Sequence, residues 1–507
     1  MANHKFDRRD LLKAFGIGGL GLTASQIVRA LPDSSSNSGH YIIIVFDSWS
    51  AHNVGLYGYQ RDTMPNLSKF ADQAFVFNKH HSGGNFTVPG VASLLTGMYP
   101  FSHRAIDLHC QVIAQHQGKD IFNVFSDQFS TFGFAQNMYA DQLIGQADKG
   151  VDKHTPFGSY NLNDVLIYDS PFFDRDAYIA FNAIDFGLVN HRKGEFGSLI
   201  FGPLMRTIAM RDLEHLGTQY ADTYNMGLPE GNEAYTLEGI INGLMDTLKG
   251  LNKPSFVYFH VHAPHAPYRP IRKNHKLFEF DGLGTDVGPV HPLVEEPDPE
   301  YNLKRDQVLY DAYLYTLDSE LARLFKYLDK SGLRQNSTIA ITADHGEIHQ
   351  FGTSGHSTPL LYEPLTHIPL VLSIPGNNTR VDVNTPTSCV DLLPTFAEWA
   401  GLPVPEWTEG KPLPILGKQA EPGRPIFAFE AKTNTVFGRF TKYSISMLVG
   451  DLKLIRYHYP GYISTEMYDL AADPGELNNL AESGHPKFDE LAKQLNQKLA
   501  QIGADID

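Results

Sequence analysis

Thr87 stands two residues ahead of a proline in the run Asn85-Phe86-Thr87-Val88-Pro89-Gly90-Val91-Ala92-Ser93-Leu94-Leu95-Thr96-Gly97. Pro89 suits the first turn of a helix, where its missing N–H costs nothing. Val91, Leu94 and Leu95 then share one face at helical spacing, and Gly97 is placed to end the helix. The spacing therefore predicts a helix opening at Pro89. Thr87 would lie just ahead of it, beside free backbone N–H groups and the positive end of the dipole. A hydroxyl there has two uses. It can be a nucleophile held against a phosphate or sulfate, or simply the N-cap of the helix.

Other residues able to do chemistry fall at the ends of apolar runs. His40 to Phe46 is a continuous run rich in β-branched residues and ends at Asp47. It reads as a buried strand of a parallel sheet. Ser255 to Val261 reads the same way, with His265 shortly after it, and Thr338 to Ala343 runs into Asp344-His345. Between them, residues 233–249 and 311–328 have helical periodicity, with Gly332 as a stop. Residues 120–136 suit a further helix and strand. Alternation of strand and helix predicts an α/β fold with a doubly wound, mostly parallel sheet flanked by helices. Ligands of such sheets bind beyond the carboxyl ends of the strands, where Asp47, His265, Asp344 and His345 would converge.

The Thr87 stretch resembles the nucleophile segment of the sulfatase branch of the alkaline phosphatase superfamily, C/S-x-P-x-R followed by L-L-T-G. Here it reads Thr87-Val88-Pro89-Gly90-Val91 and then Leu94-Leu95-Thr96-Gly97. Sulfatases oxidise the Cys or Ser to formylglycine with support from the Arg. This chain has Thr87 and Val91 in those places, so the resemblance implies no formylglycine. The Thr version looks like phosphoglycerol and phosphoethanolamine transferases and phosphodiesterases of the superfamily. The likeness runs from near residue 40 to near residue 482, with a divergent middle. The family's G-K-W-H segment corresponds to Ala135-Gln136-Asn137-Met138, so its Lys and His are missing.

The resemblance also implies a metal site. Ala343-Asp344-His345-Gly346-Glu347 looks like the family's metal dyad, and with Asp47 and Thr87 it would supply the ligands of one divalent ion. Carboxylates with one imidazole favour Zn²⁺ or Mn²⁺ and tolerate Ca²⁺ or Mg²⁺. Sulfatases commonly carry Asp-Asp after the first strand; here it is Asp47-Ser48, as in the single-acid Thr-type enzymes. His262-Ala263-Pro264-His265-Ala266-Pro267 resembles H-x-P-H-x-P, which gives His265 contact with the transferred group or the leaving oxygen. His356 matches the place where Thr-type transferases have His. The two imidazoles would hold a second metal, or act as general acid and anion clamp, the use favoured here. His262 and His367 read as packed structural histidines.

Residues 1–30 resemble a twin-arginine export signal, with Arg8-Arg9, Lys13, an apolar run to Leu22 and the small-residue site Val28-Arg29-Ala30. That run is too short to span a bilayer stably. Residues 31–39 form a polar linker, and 40–420 a catalytic domain with insertions near 145–230 and 271–305. Residues 421–507 form a small C-terminal α+β subdomain, with an antiparallel sheet and a closing helix near 485–502. Gly450 to Ile455 and Met467 to Leu480 closely resemble the sulfatase C-terminal subdomain. Of the 507 residues 42% are hydrophobic and 19% charged, a globular composition. A net charge of −16 argues against nucleic acid or an anionic membrane as partner. The two cysteines, Cys110 and Cys389, are compatible with a disulfide in the periplasm or with two buried thiols.

Release of a group from Thr87 separates the functional readings. A sulfated threonine lacks the elimination route that formylglycine provides, whereas a phosphorylated one is open to a second in-line attack. The expected activity is metal-dependent hydrolysis of a phosphodiester or phosphonate ester. Its substrate would be a small-molecule, lipid-headgroup or glycan ester in the periplasm. Alternatives are a sulfatase, a phosphoglycerol or phosphoethanolamine transferase, and a metal-binding glycan or lipid binding module. The transferases normally bring several membrane helices, and no such stretch occurs here. The export reading makes its own prediction. Arg8→Lys with Arg9→Lys is expected to block export, and the exported form is expected to start near Leu31. Normal periplasmic accumulation of the double variant would exclude the twin-arginine route.

Overall fold

The computed structural model describes residues 39–108, 111–162, 211, 214–229, 234–283 and 287–506. The export segment, Cys110 and most of the 145–230 stretch lie outside them. Strand β1 (His40–Asp47) is buried along its whole length, as its unbroken apolar run requires. It lies at the centre of an eight-stranded sheet with β2 (Phe75–Phe77), β4 (Ser130–Ala135), β5 (Lys153–Thr155), β6 (Ser255–Pro264), β7 (Ser337–Ala343), β10 (Leu370–Ser373) and β11 (Val381–Val383). The order is β11-β2-β10-β7-β1-β6-β4-β5. β1 runs parallel to both β6 and β7. β10 runs antiparallel to both its neighbours, β7 and β2. The short pairs β3 (His80–His81) with β12 (Thr387–Ser388), and β8 (Ile348–Gln350) with β9 (Thr353–Gly355), stand outside this sheet.

Helices cover the sheet. They include α1 (Pro65–Ala71), α2 (Thr87–Thr96), α3 (Met138–Gly145), α4 (Leu237–Lys249), α5 (Glu300–Ser331) and α6 (Leu392–Trp399). α5 begins well before residue 311, so the expected insertion at 271–305 runs into its second turn. Acidic and Pro-rich residues hid that turn. Likewise β5, at Lys153–Thr155, makes part of the expected 145–230 insertion an edge strand of the main sheet. Buried Asp318 of α5 accepts the backbone N–H groups of Asn66 and Leu67, each at 2.9 Å, and so caps α1 from across the fold. Phe70 stacks on Phe325 at 4.2 Å between the same helices.

The C-terminal part is an antiparallel sheet in the order β13 (Ile426–Glu430), β14 (Tyr443–Val449), β15 (Leu452–Tyr459), β16 (Tyr462–Asp469). Helix α7 (Phe488–Ile502) closes it, burying Leu491, Leu495 and Leu499 at i, i+4, i+8. Cys389 is a free thiol, fully buried, and burial pushes its pKa up to about 12.

One buried ion network joins this sheet to the main body. Lys453 Nζ of β15 lies 2.8 Å from Glu363 Oε1 and 2.9 Å from Glu476 Oε1, with all three side chains almost wholly buried. Burial raises the Glu476 pKa to about 7, against the pull of Lys453. Burial also opposes the charge on Glu363, but Lys453 and His81 hold that carboxyl well below the usual range. Removing the shared cation strands two carboxylates in the interior. Lys453→Met is therefore expected to cost about 3–5 kcal/mol of stability, read as a lower urea midpoint. An unchanged midpoint would show that the ammonium does not hold the two parts together.

Candidate active site

The site is built at the carboxyl edge of the main sheet, where neighbouring strands end together. Phe46 pairs with Ala343, so Asp47 and Asp344 leave adjacent strands side by side. A bulge between Phe46 and Asp47 shifts the next pairing to Pro264. Ser48 then turns into the left-handed region at φ 61°, a strained position for a serine. It is held there by three contacts. Its N–H donates to Asp344 Oδ1 at 3.2 Å, its hydroxyl donates to Asp47 Oδ1 at 3.0 Å, and its carbonyl accepts from Tyr310 at 2.6 Å.

α2 brings Thr87 to this edge, but not in the way the proline suggested. The helix starts at Thr87, with Phe86 extended as its N-cap, so Pro89 is the third helical residue. The Thr87 hydroxyl therefore makes no cap, and the N-cap alternative is set aside. Gly97 ends the helix in the left-handed region at φ 68°, as its spacing implied. Gly90 explains the close approach. A Cβ there would lie 2.3 Å from the Asp344 carbonyl oxygen, so only glycine lets α2 press against the end of β7.

The buried groups converge tightly. Thr87 Oγ1 is 3.5 Å from His345 Nε2 and accepts from Asn137 Nδ2 at 3.3 Å. Asn137 also donates to Asp47 Oδ2 at 2.7 Å. His345 Nε2 lies 3.4 Å from Asp47 Oδ1 and 3.6 Å from Asp344 Oδ2. Its Nδ1–H donates to the Gly346 carbonyl at 2.8 Å, which leaves the lone pair on Nε2, facing the carboxylates.

His260 completes the cluster. It lies on β6 beside Val45, two residues before Asp47, and its Nε2 is 3.5 Å from Asp47 Oδ2 and 3.9 Å from Asp344 Oδ2. Ligand atoms of Asp47, His260 and Asp344 all lie within 4.8 Å of one another. Asp344 Oδ2 and His260 Nε2 are buried without a hydrogen-bond partner. Two carboxylates with imidazole nitrogens turned inward, and two orphaned buried polar atoms, are what a divalent cation would satisfy. The donor set fits Zn²⁺ or Mn²⁺ better than Ca²⁺, which takes six to eight oxygens.

Electrostatics agree with that fit. Burial disfavours the ionised form of Asp47, but His265, His260 and His345 hold it well below the usual range. Burial, and then the charge of Asp47, push Asp344 up. Burial opposes a charge on His345, yet Asp344 and Asp47 raise it to about 9 in the absence of a cation.

The remaining histidines form a row against this cluster. The ring of His356 lies 4.5 Å from His345 and 4.8 Å from His265, and His265 lies 4.4 Å from His262. Glu347 accepts from His356 Nδ1 at 2.9 Å. Burial lowers His356 to about 4 in spite of Glu347, and lowers His262 to about 3. With its Nδ1–H given to Glu347, His356 keeps its other nitrogen as an acceptor.

The Sulfatase family model matches residues 39–402, well over half of the chain. The chain belongs to the sulfatase family. A second family model, N-sulphoglucosamine sulphohydrolase C-terminal, matches residues 356–505. Sulfatase-family members are metal-dependent ester hydrolases, and this chain carries candidate metal-site residues. Arylsulfatase K of Bos taurus is 28% identical over 40% of this chain and 37% of its own length. The chain thus spans little more than a third of that relative. The multifunctional alkaline phosphatase superfamily protein PehA of Trinickia caryophylli is 22% identical over 90% of this chain and 93% of its own. The phosphonate monoester hydrolase of Agrobacterium radiobacter shares the fold, with a TM-score of 0.65, 17% identity and coverage of 92% of this chain and 95% of that one.

All six residues singled out in this sulfatase-family sequence, Asp47, Thr87, His265, Asp344, His345 and His356, fall in one neighbourhood. His260, Asn137, Ser48 and Glu347 were missed as contributors. His260 carried a signal, since a lone histidine inside a strand apolar on both faces needs a partner. Asn137 carried none beyond its place after a strand. Asp344→Asn and Asp47→Asn are each expected to lose the tightly bound ion, and His260→Gln to weaken it by about 10–100-fold or more. Elemental analysis with chelator competition measures this. An Asp344→Asn variant that keeps as many equivalents as the wild type would exclude the ligand set.

Proposed function

We propose that this sulfatase-family enzyme hydrolyses a phosphodiester or phosphonate monoester through Thr87, in an exported compartment and without formylglycine. The observation that carries the reading is Thr87 itself, a secondary alcohol at the head of a ten-residue helix, 3.5 Å from His345 Nε2. Oxidation of a threonine would give a ketone, not the aldehyde that formylglycine chemistry needs. A divalent ion held by Asp47, Asp344, His345 and His260 would supply Lewis-acid chemistry, lowering the Thr87 hydroxyl pKa and polarising the ester oxygen. Thr87 gives its hydroxyl proton to solvent, its Oγ1 forms the bond to phosphorus as the bond to the leaving alcohol breaks, and backbone N–H groups at the helix head face the charge that develops on phosphorus oxygens. Asn137 Nδ2 donates to the Thr87 oxygen and keeps its lone pair aimed. His265 is the group proposed to protonate the leaving oxygen. His356, with Nδ1 engaged by Glu347, accepts a proton from the water that frees Thr87.

A singly charged ester matches a site with one ion and two histidines better than a doubly charged phosphate monoester does. The near full-length similarity to PehA and to the fold of a phosphonate monoester hydrolase supports this choice. The second reading, a sulfate ester, is favoured by the similarity to arylsulfatase K. Zn²⁺ or Mn²⁺ is the proposed ion.

Thr87→Ala is expected to lose about 10³ to 10⁶ in turnover while still binding substrate, and Thr87→Ser to keep measurable activity. A panel of bis-aryl phosphate, aryl phosphonate, aryl phosphate and aryl sulfate esters, each with single divalent metals, gives the class. Mass spectrometry of a stalled turnover should show a phosphoryl or phosphonyl group on the Thr87 peptide. A sulfuryl adduct would establish the sulfatase reading, and wild-type turnover in Thr87→Ala would end both.

A further inference from the structure

We propose that His52, Glu363 and His367 form a second divalent-metal site, separate from the cluster around Asp47 and suited to Zn²⁺. Their ligand atoms all lie within 4.8 Å of one another. His52 lies in the turn Ala51–Asn53 that follows β1, and Glu363 and His367 are i, i+4 across one helical turn. The backbone ties these pieces together, because the Ala51 N–H donates to the His367 carbonyl at 3.0 Å. His81 of β3 bridges to His367 through the backbone and stacks on its ring at 5.3 Å. The cluster is therefore assembled before any ion arrives.

Two independent observations call for a cation. His367 Nε2, on a ligand residue of the cluster, is buried with no hydrogen-bond partner. The one ammonium nearby is also shared between two acids. Glu363 and Glu476 supply two carboxylates, while Lys453 supplies one ammonium to both. Lys453 takes Glu363 Oε1, so Oε2 is the oxygen turned toward His81, at 3.1 Å, and His367, at 3.8 Å. Two imidazoles and one carboxylate are a Zn²⁺ donor set that leaves a fourth position open.

The open position has somewhere to face. His52, His81, Glu363 and His367 line a cavity of about 580 Å³, together with Lys79 and Asn78. Asp47, Thr87, Asp344 and His345 are not among the residues lining it. The two sites share no ligand residue.

The test uses the whole chain, stripped with chelator and titrated with Zn²⁺ alone under equilibrium dialysis. The wild type is expected to bind about two equivalents, and Asp344→Asn and His52→Gln/His367→Gln about one each. The variant combining all three changes is expected to bind essentially none. A wild type whose only bound ion disappears in Asp344→Asn would overturn the second site. Equal binding by wild type and His52→Gln/His367→Gln would overturn it too. Co²⁺ spectra of Asp344→Asn guard against misfolding of the double variant. Intense visible bands of a four-coordinate ion support the site, and pale six-coordinate bands or no bound Co²⁺ overturn it.

Discussion

Two carboxylates that leave neighbouring strands side by side in the interior repel each other, and the rest of the site is arranged around that repulsion. Asp47 and Asp344 are both fully buried, and the burden falls unequally. Asp47 gathers Asn137, Ser48, His260 and His345 and stays ionised. Asp344 has backbone donors on one oxygen and nothing on the other. A buried charge without compensation costs several kcal/mol. A fold that keeps such a pair is one that expects a cation there, and the imidazole nitrogens of His260 and His345 point to the same place.

The geometry of the proposed nucleophile follows from the same edge. α2 reaches the carboxylates only because Gly90 has no side chain to strike the end of β7. Ser82 reinforces the contact by donating its hydroxyl to the Asp344 carbonyl. The Thr87 hydroxyl, the ligand cluster and the helix N-terminus are thus fixed relative to one another by backbone packing rather than by flexible side chains. Rigid support of this kind suits a reaction whose transition state must be met by groups already in place.

The second cluster uses the opposite device. At Glu363, Lys453 and Glu476 an ammonium does part of the neutralising, and it ties the C-terminal sheet to the main body while doing so. The imidazoles of His52, His81 and His367 surround the remaining carboxylate oxygen, on the wall of a cavity. One chain therefore handles buried acids in two ways, by a cluster of imidazoles at Asp47 and Asp344, and by a shared lysine at Glu363.

Much of this was legible in the sequence. Unbroken apolar runs ending in Asp47 and in Asp344-His345 fix strands that stop together, because a parallel sheet aligns its carboxyl ends and β-branched runs leave no other place for them. Gly97 and Gly332 mark helix ends, since left-handed backbone favours glycine, and both sit at φ near 70°. What the sequence left open is long-range. The start of α2 at Thr87 was decided by Phe86 taking an extended backbone, not by Pro89. His262 and His367 looked alike on paper, yet one packs in the imidazole row and the other faces a carboxylate. His260 became part of the carboxylate cluster only through the pairing of β6 with β1, and Asn137 only through the turn after β4. The spacing of residues along a strand gives the face each one takes. Only the order of strands in the sheet, set by packing across hundreds of residues, decides which faces meet.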